Sequence, residues 1–276
     1  MNSLKKWSKT ITLVCVLCGV LFVSGCKKTE KKTSIESIQK EGELIVLTNA
    51  TFPPYEFYSG EQIVGVDIDI TKLLAERLGV KHKIVDMNFD GLLPALQNGK
   101  GHIVAAGVTL TPENENAFHP SMPYASSSQR ILILKKHKEI TSLGDLVNKK
   151  IGVAIGTTSY TFINNQLTEE PFKDTKTIIV TYQDIMAAVQ SLVNGYVAAV
   201  ILDGLPAAQI TKKSEEFELL PQILGHESYV FLLPLNATSD LVDLLNIIIM
   251  GIKSDDTLDK IYENYMDKND LKNNNK

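Results

Sequence analysis

Short apolar runs of strand length alternate along the chain with longer stretches whose apolar residues return every three or four positions. Glu43 to Thr48 (ELIVLT) predicts a buried strand. In Val66 to Leu78, Val66, Ile68, Ile70, Leu73, Leu74 and Leu78 mark an amphipathic helix that stops at Gly79. Lys81 to Met87 alternates as a strand, Gly91 to Asn98 predicts a short helix, and His102 to Ala106 another strand. This βαβαβ order implies a mostly parallel sheet covered by helices. Thr111-Pro112-Glu113 opens a helix, with Thr as N-cap and Pro at the first position. Ile131 to Lys135 predicts a further strand.

A second series of the same grammar follows. Lys150 to Ala154, Thr177 to Thr181 and Val197 to Leu202 read as strands, with helices at Ser159 to Gln166 and Asp184 to Asn194 between them. Tyr229 to Leu233 adds a strand, and two helices close the pattern, Ser239 to Lys253 and Asp256 to Tyr265. Two α/β units joined by strands imply two lobes with a cleft between them. Ligands of open α/β sheets bind beyond the carboxyl ends of the strands.

The start of the chain breaks this pattern. Lys5, Lys6 and Lys9 precede an apolar run from Ile11 to Val23, which is followed by Ser24-Gly25-Cys26. The run is short for a membrane-spanning helix and suits a signal-peptide core. Its ending resembles a bacterial lipobox, in which cleavage leaves a diacylglycerol-bearing cysteine as the mature N-terminus. The expected division is a signal peptide over 1–25 and a polar tether over 26–36. Acyl chains on Cys26 would hold the folded part to the outer side of the cytoplasmic membrane. A plain secretory signal or an uncleaved anchor is the competing reading.

Composition narrows the rest. The 276 residues carry 28 Lys and Arg against 32 Asp and Glu, with no basic cluster in the body, which argues against nucleic-acid binding. The cysteines, 15, 18 and 26, all lie near the start, so neither a disulfide framework nor a Cys-ligated zinc site is expected in the body. The histidines are scattered and no nucleotide-loop, zinc-protease or serine-hydrolase motif occurs, so no metal, cofactor or catalytic residue is expected. Carboxylate pairs such as Asp67/Asp69 and Asp255/Asp256 read as exposed helix faces or helix starts.

Six segments, in order, resemble the family 3 extracellular solute-binding proteins, the polar amino-acid receptors of ABC importers. They are Thr51 to Phe57 (TFPPYEF), Gly65 to Ile70 (GVDIDI), Phe89 to Gln97 (FDGLLPALQ), Ala106 to Glu113 (AGVTLTPE), Gly152 to Thr158 (GVAIGTT) and Asp203 after a strand. The resemblance runs from about Glu41 to Tyr265. It implies an α/β, two-lobe periplasmic-binding-protein-like (type II) fold with two hinge strands, the second lobe being inserted into the first. Lobe one would comprise 37–128 plus 231–267, lobe two 129–230, and 268–276 a polar tail.

The same resemblance assigns a ligand site. Phe52 matches the aromatic that stacks on the ligand, and Phe89 the residue facing it. Asn49 matches a position that reads the ligand side chain, where an amide argues against Lys or Arg as ligand. Gly107 and Thr109 match the loop that offers a carbonyl to the ligand amine and donors to its carboxylate. Ala154 and Thr158 match contacts across the cleft, and Asp203 the partner of the ligand ammonium. One position departs: the family reads Thr-(Pro or Asp)-Glu-Arg, and here Asn114 stands for the Arg that forks onto the ligand carboxylate. Three explanations are open. The solute lacks an α-carboxylate, or Thr109, Thr158 and backbone N–H groups hold the carboxylate alone, or another cation, Arg130 being the nearest candidate, replaces the missing one.

The resulting expectation is a lipid-anchored, monomeric receptor outside the membrane. It would close on a small polar, amine-bearing solute and deliver it to a permease and its ATPase. The competing class is a same-fold enzyme such as a dehydratase, with Glu56 or Asp203 as the acid. A sensor ectodomain would need a membrane span after Tyr265, where the sequence is polar. For the anchor, mass spectrometry of the membrane-extracted protein should find Cys26 as a diacylated N-terminus. An unmodified Cys26 or cleavage elsewhere removes the lipoprotein assignment.

Overall fold

The computed structural model describes residues 32–266, so the expected signal peptide, Cys26 and the expected tail from residue 268 lie outside the described residues. In chain order the first part comprises α1 (Ile35–Glu41), β1 (Glu43–Thr48), β2 (Thr51–Phe52), β3 (Glu56–Ser59), β4 (Gln62–Val64), α2 (Val66–Leu78), β5 (Lys81–Asp86), α3 (Phe89–Gln97), β6 (Ile103–Thr109), α4 (Pro112–Ala117) and β7 (Phe118–Pro120). The chain then runs through β8 (Ala125–Leu134), β9 (Lys150–Ala154), α5 (Thr158–Gln166), β10 (Ile178–Tyr182), α6 (Ile185–Val193) and β11 (Ala199–Asp203). Last come α7 (Gly204–Lys213), β12 (Phe217–Leu219), β13 (Gly225–Pro234), α8 (Ser239–Ser254) and α9 (Thr257–Glu263).

The main strands pair in the order β10-β9-β11-β8-β13-β6-β1-β5. β5, β1 and β6 are parallel, as are β10, β9 and β11, whereas β8 and β13 run antiparallel to their neighbours. Each half buries its own two faces. Val46, Ile103 and Phe231 pack under α2, α8 and α9, with Leu47, Val104 and Leu232 against α3 on the reverse face. In the other half Leu132, Val200 and Leu202 lie against α6 and α7, and Ile133, Val153 and Ile201 against α5. The result is a two-lobe α/β fold, with the C-terminal helices returned to the first half.

β8 and β13 join the halves. β8 pairs β13 over Ala125 to Gln129 and β11 over Gln129 to Leu132; β13 meets β6 from Tyr229 onward. Both strands are longer than the apolar pattern predicts. Their first halves, Ser126-Ser127-Ser128-Gln129 and His226-Glu227-Ser228, are polar and carry no core signal. The hairpin of β2, β3 and β4 and the helix α7 were also unmarked, the former because its strands are only two to four residues long. The tether expected over 26–36 ends earlier, because Thr33 N–H donates to the Asn236 carbonyl at 3.1 Å and Ser34 caps α1.

One glycine sets the geometry of the first half. Gly65 has φ of 140°, and a Cβ there would lie 2.1 Å from the Tyr55 carbonyl oxygen. Only glycine allows that approach. The turn it makes buries the start of α2, so Asp67 is fully buried rather than part of an exposed face. Asp67 accepts a hydrogen bond from the Gly107 N–H at 3.0 Å and from the Tyr124 hydroxyl at 2.6 Å. A helix-start carboxylate thus organises the loop at the end of β6.

Candidate functional site

A cavity of about 950 Å³ opens where the carboxyl ends of β1, β6, β9 and β11 face one another. It lies between the two halves, and they touch at its rim. A Cβ on Gly156, after β9, would lie 3.2 Å from Asp90 Cβ and 3.7 Å from the Phe89 ring, so glycine (φ 79°) permits the contact. Every one of the nine residues assigned from the sequence lines this cavity.

Phe52 lies against Gly107, whose own Cβ would sit 2.7 Å from the Phe52 ring. The ring stacks on Tyr55 at 5.7 Å between centroids, tilts against Tyr229 at 6.3 Å, and packs on the cores of both halves. Phe89 begins α3 and presents apolar surface to the cavity. Asn49 is committed locally: its amide donates to the Met87 carbonyl at 2.9 Å and its oxygen accepts from the Thr51 hydroxyl at 2.7 Å. Ala154 ends β9, and Thr158 opens α5 behind the N-cap Thr157.

Asp203 ends β11 at the N-cap position of α7, yet its side chain makes no capping bond. It pairs across the sheet with Gln129, which in turn pairs with Gly225. Asp203 Oδ1 is buried without a hydrogen-bond partner. Burial, then the nearby Glu227, raise its pKa well above the ordinary carboxylate value. Glu227 is buried, accepting from the Thr109 hydroxyl at 2.9 Å and the Gln129 amide at 2.7 Å. Sequence reasoning passed over Glu227 and Gln129 because they sit in the polar halves of the hinge strands. Alternating polar residues inside a strand between two apolar segments are the signal that marks them.

A second carboxylate pair lies deeper in the first half. Glu56 is fully buried, and burial, then Asp67, raise it well above the usual range. Burial pushes Asp67 up to about 6, against the pull of Tyr124 and the Gly107 N–H. Of the residues lining the cavity, none is Lys or Arg, whereas Glu56, Asp90, Glu113, Asp184, Asp203 and Glu227 are acids. Asp184 is occupied in capping α6 through the Ala187 N–H, and Asp90 and Glu113 are exposed. Acidic side chains thus outnumber basic ones along the cavity, a lining that suits a cation better than an anion.

Neither Arg130 nor Asn114 is free to receive a ligand carboxylate. Arg130 follows Gln129 on β8 and so points to the opposite face of the sheet. Its guanidinium donates to the Leu220 carbonyl at 2.8 and 3.2 Å, away from the cavity, and it does not replace the missing Arg. Asn114 is a capping residue. Its oxygen accepts from the Thr111 N–H at 2.9 Å and its amide donates to the Thr109 carbonyl at 2.6 Å. Thr109 itself gives its hydroxyl proton to Glu227. Among the described residues no cluster of His, Cys, Asp or Glu is arranged to hold a metal ion.

The profile of the bacterial extracellular solute-binding proteins, family 3, matches residues 44–268. The chain belongs to that family. A probable histidine-binding protein of Campylobacter jejuni is 30% identical over 262 residues, 92% of this chain and 98% of its own length. The L-cystine-binding protein TcyJ of Escherichia coli is 26% identical over 235 residues, 84% of this chain and 85% of its own. Among solved structures, an ancestral arginine-binding protein bound to arginine superposes with a TM-score of 0.75 at 34% identity, covering 82% of this chain and 99% of that one. These relatives are binding proteins, and the family is extracytoplasmic and type II in fold. No helix of the described residues is long and apolar enough to cross a membrane.

In this family member the acid pair has a cost that pH reveals. A carboxyl with a folded pKa above its unfolded value holds its proton more tightly when folded. Its contribution to stability is present at low pH and lost as pH rises. Asp203 is of this kind, faced by Glu227, Tyr229 and Tyr55. Asp203→Asn removes the charge without breaking a cap. Its stability relative to wild type should therefore grow as pH rises above the ordinary carboxylate pKa of about 4 toward neutrality. Urea denaturation of both proteins across that range checks this; a relative stability that falls with rising pH contradicts it.

Proposed function

We propose that this protein captures a small, polar, amine-bearing solute in the cavity between its lobes and delivers it to an ABC importer, tethered to the outer face of the membrane through Cys26. The observation that carries the reading is Asp203, whose Oδ1 is buried at the cavity with no partner. Leaving a buried acceptor unsatisfied costs roughly 1–3 kcal/mol, more for a charged one. A ligand ammonium would complete it. Phe52 beside it supplies a ring face for an apolar stem or a cation. Histidine, arginine and cystine, named for the relatives above and their kin, each carry an ammonium group that such a carboxylate would receive.

In this reading lobe two, 129–230, closes on lobe one, 37–128 with 231–267, by bending at β8 and β13. Asn49, Phe52, Phe89, Gly107, Thr109, Ala154, Thr158 and Asp203 form the contact set, and Asn114 shapes the Thr109 loop. The protein acts as a monomer toward a permease and its ATPase. No step requires catalysis, so the dehydratase alternative is not favoured.

Truncating one partner of a buried, hydrogen-bonded charge pair costs roughly 2–5 kcal/mol. Asp203→Ala should thus weaken binding by about thirty-fold to several-thousand-fold. The fold should persist, since the side chain makes no cap. A thermal-shift screen of amino acids and amines finds a ligand for the wild type, and calorimetry on the variant gives the loss. An affinity close to wild type would show that Asp203 does not receive the amine.

A further inference from the structure

The proposed function leaves the chemistry at the other end of the solute open, and the cavity answers it. Two features that would receive a carboxylate, Asn114 and the Thr109 hydroxyl, are turned to another use. Asn114 stands where the family has Arg, and its amide is spent on the Thr111 N–H and the Thr109 carbonyl. The Thr109 hydroxyl donates to Glu227 Oε2, so toward a ligand it offers only lone pairs. Glu227 itself places a carboxylate next to that hydroxyl. A solute carboxylate bonded to Thr109 would meet the Glu227 charge within a few ångströms, with no Lys or Arg among the described residues that line the cavity to offset it. Like charges at that range in a partly buried site repel strongly.

The same arrangement favours a cation twice over. Asp203 on β11 pairs with Gln129 on β8, and the Gln129 amide donates to Glu227 on β13. Glu227 is held by two neutral donors, Thr109 and Gln129, which orient its oxygens without cancelling its charge. Asp203 Oδ1 is buried and partnerless. The apolar surface of Phe52 and Phe89 lies alongside.

Resting on the reading of this cavity as a solute site, we propose that the solute is an organic cation without a carboxylate, an amine or guanidine whose positive groups are received by Asp203 and Glu227. Glu227 is then a specificity-determining residue. It admits the amine and rejects the amino acid that differs from it only by an α-carboxylate.

Matched pairs test this directly: cadaverine against lysine, agmatine against arginine, histamine against histidine. Calorimetry on the full-length protein freed of its signal segment should show at least one amine binding ten-fold or more tightly than its amino acid. Glu227→Gln keeps the hydrogen-bonding shape and removes the charge. It should weaken that amine by ten-fold or more and narrow the gap to its amino acid, with the melting temperature of the unliganded variant reporting that it folds. Tighter binding of the amino acid in every pair overturns the inference while leaving the solute site intact. Absence of binding by all three amines, or a preference that Glu227→Gln leaves unchanged, also overturns it. A ligand held equally well by Asp203→Ala would instead overturn the site assignment beneath it.

Discussion

Two carboxylates held close together, with no counter-cation beside them among the described residues, govern the rest of this molecule. Asp203 and Glu227 come from different strands, and only the crossing of β8 and β13 brings them together. Their mutual repulsion and burial raise the proton affinity of Asp203, which is why its charge is expensive in the unliganded protein. A cation entering the cavity removes that expense. The interaction that costs stability before binding therefore becomes affinity afterwards, and it acts at the point where the two lobes are joined.

The surrounding fold holds this pair in place. Gly65 lets α2 start against the Tyr55 backbone, α2 buries Asp67, and Asp67 fixes the Gly107 N–H. Gly107 in turn leaves room for Phe52, which touches the cores of both halves. Asn114 ties the end of β6 to α4, so that Thr109 is aimed at Glu227. The departure from the family's Arg is thus part of a set. Without Glu227, Asn114 would be a simple loss of a carboxylate anchor; with it, the whole β6 end is turned toward positive charge.

Much of this was legible in the sequence. The strands of both halves are strongly apolar, and their order specified a two-lobe α/β fold because parallel strands need helical crossovers. The cavity residues came from the six segments that resemble the family 3 proteins and from the ligand contacts which that resemblance implies. What escaped notice was polar or short. The hinge segments Ser126 to Gln129 and His226 to Ser228 have no apolar periodicity, so Glu227 and Gln129 were invisible as site residues. Asp67 lies at a helix start, one of the two readings its sequence allowed, but its burial depends on a turn at Gly65 that only the backbone reveals. Arg130 was a reasonable substitute for the missing cation in sequence, and the alternation of side chains along β8 turns it away.

The account rests on a cation displacing a shared burden of charge, and that displacement can be counted in protons. Calorimetric titration of the best amine from the matched pairs, in buffers of different ionisation enthalpy below neutral pH, gives the number of protons released on binding. Release is expected because Asp203 must ionise to receive the cation, and Glu227→Gln, by removing the neighbouring charge that raises Asp203, should reduce it. Proton uptake on binding, or a release that is unchanged in Glu227→Gln, would contradict the coupling of the two carboxylates on which the specificity depends.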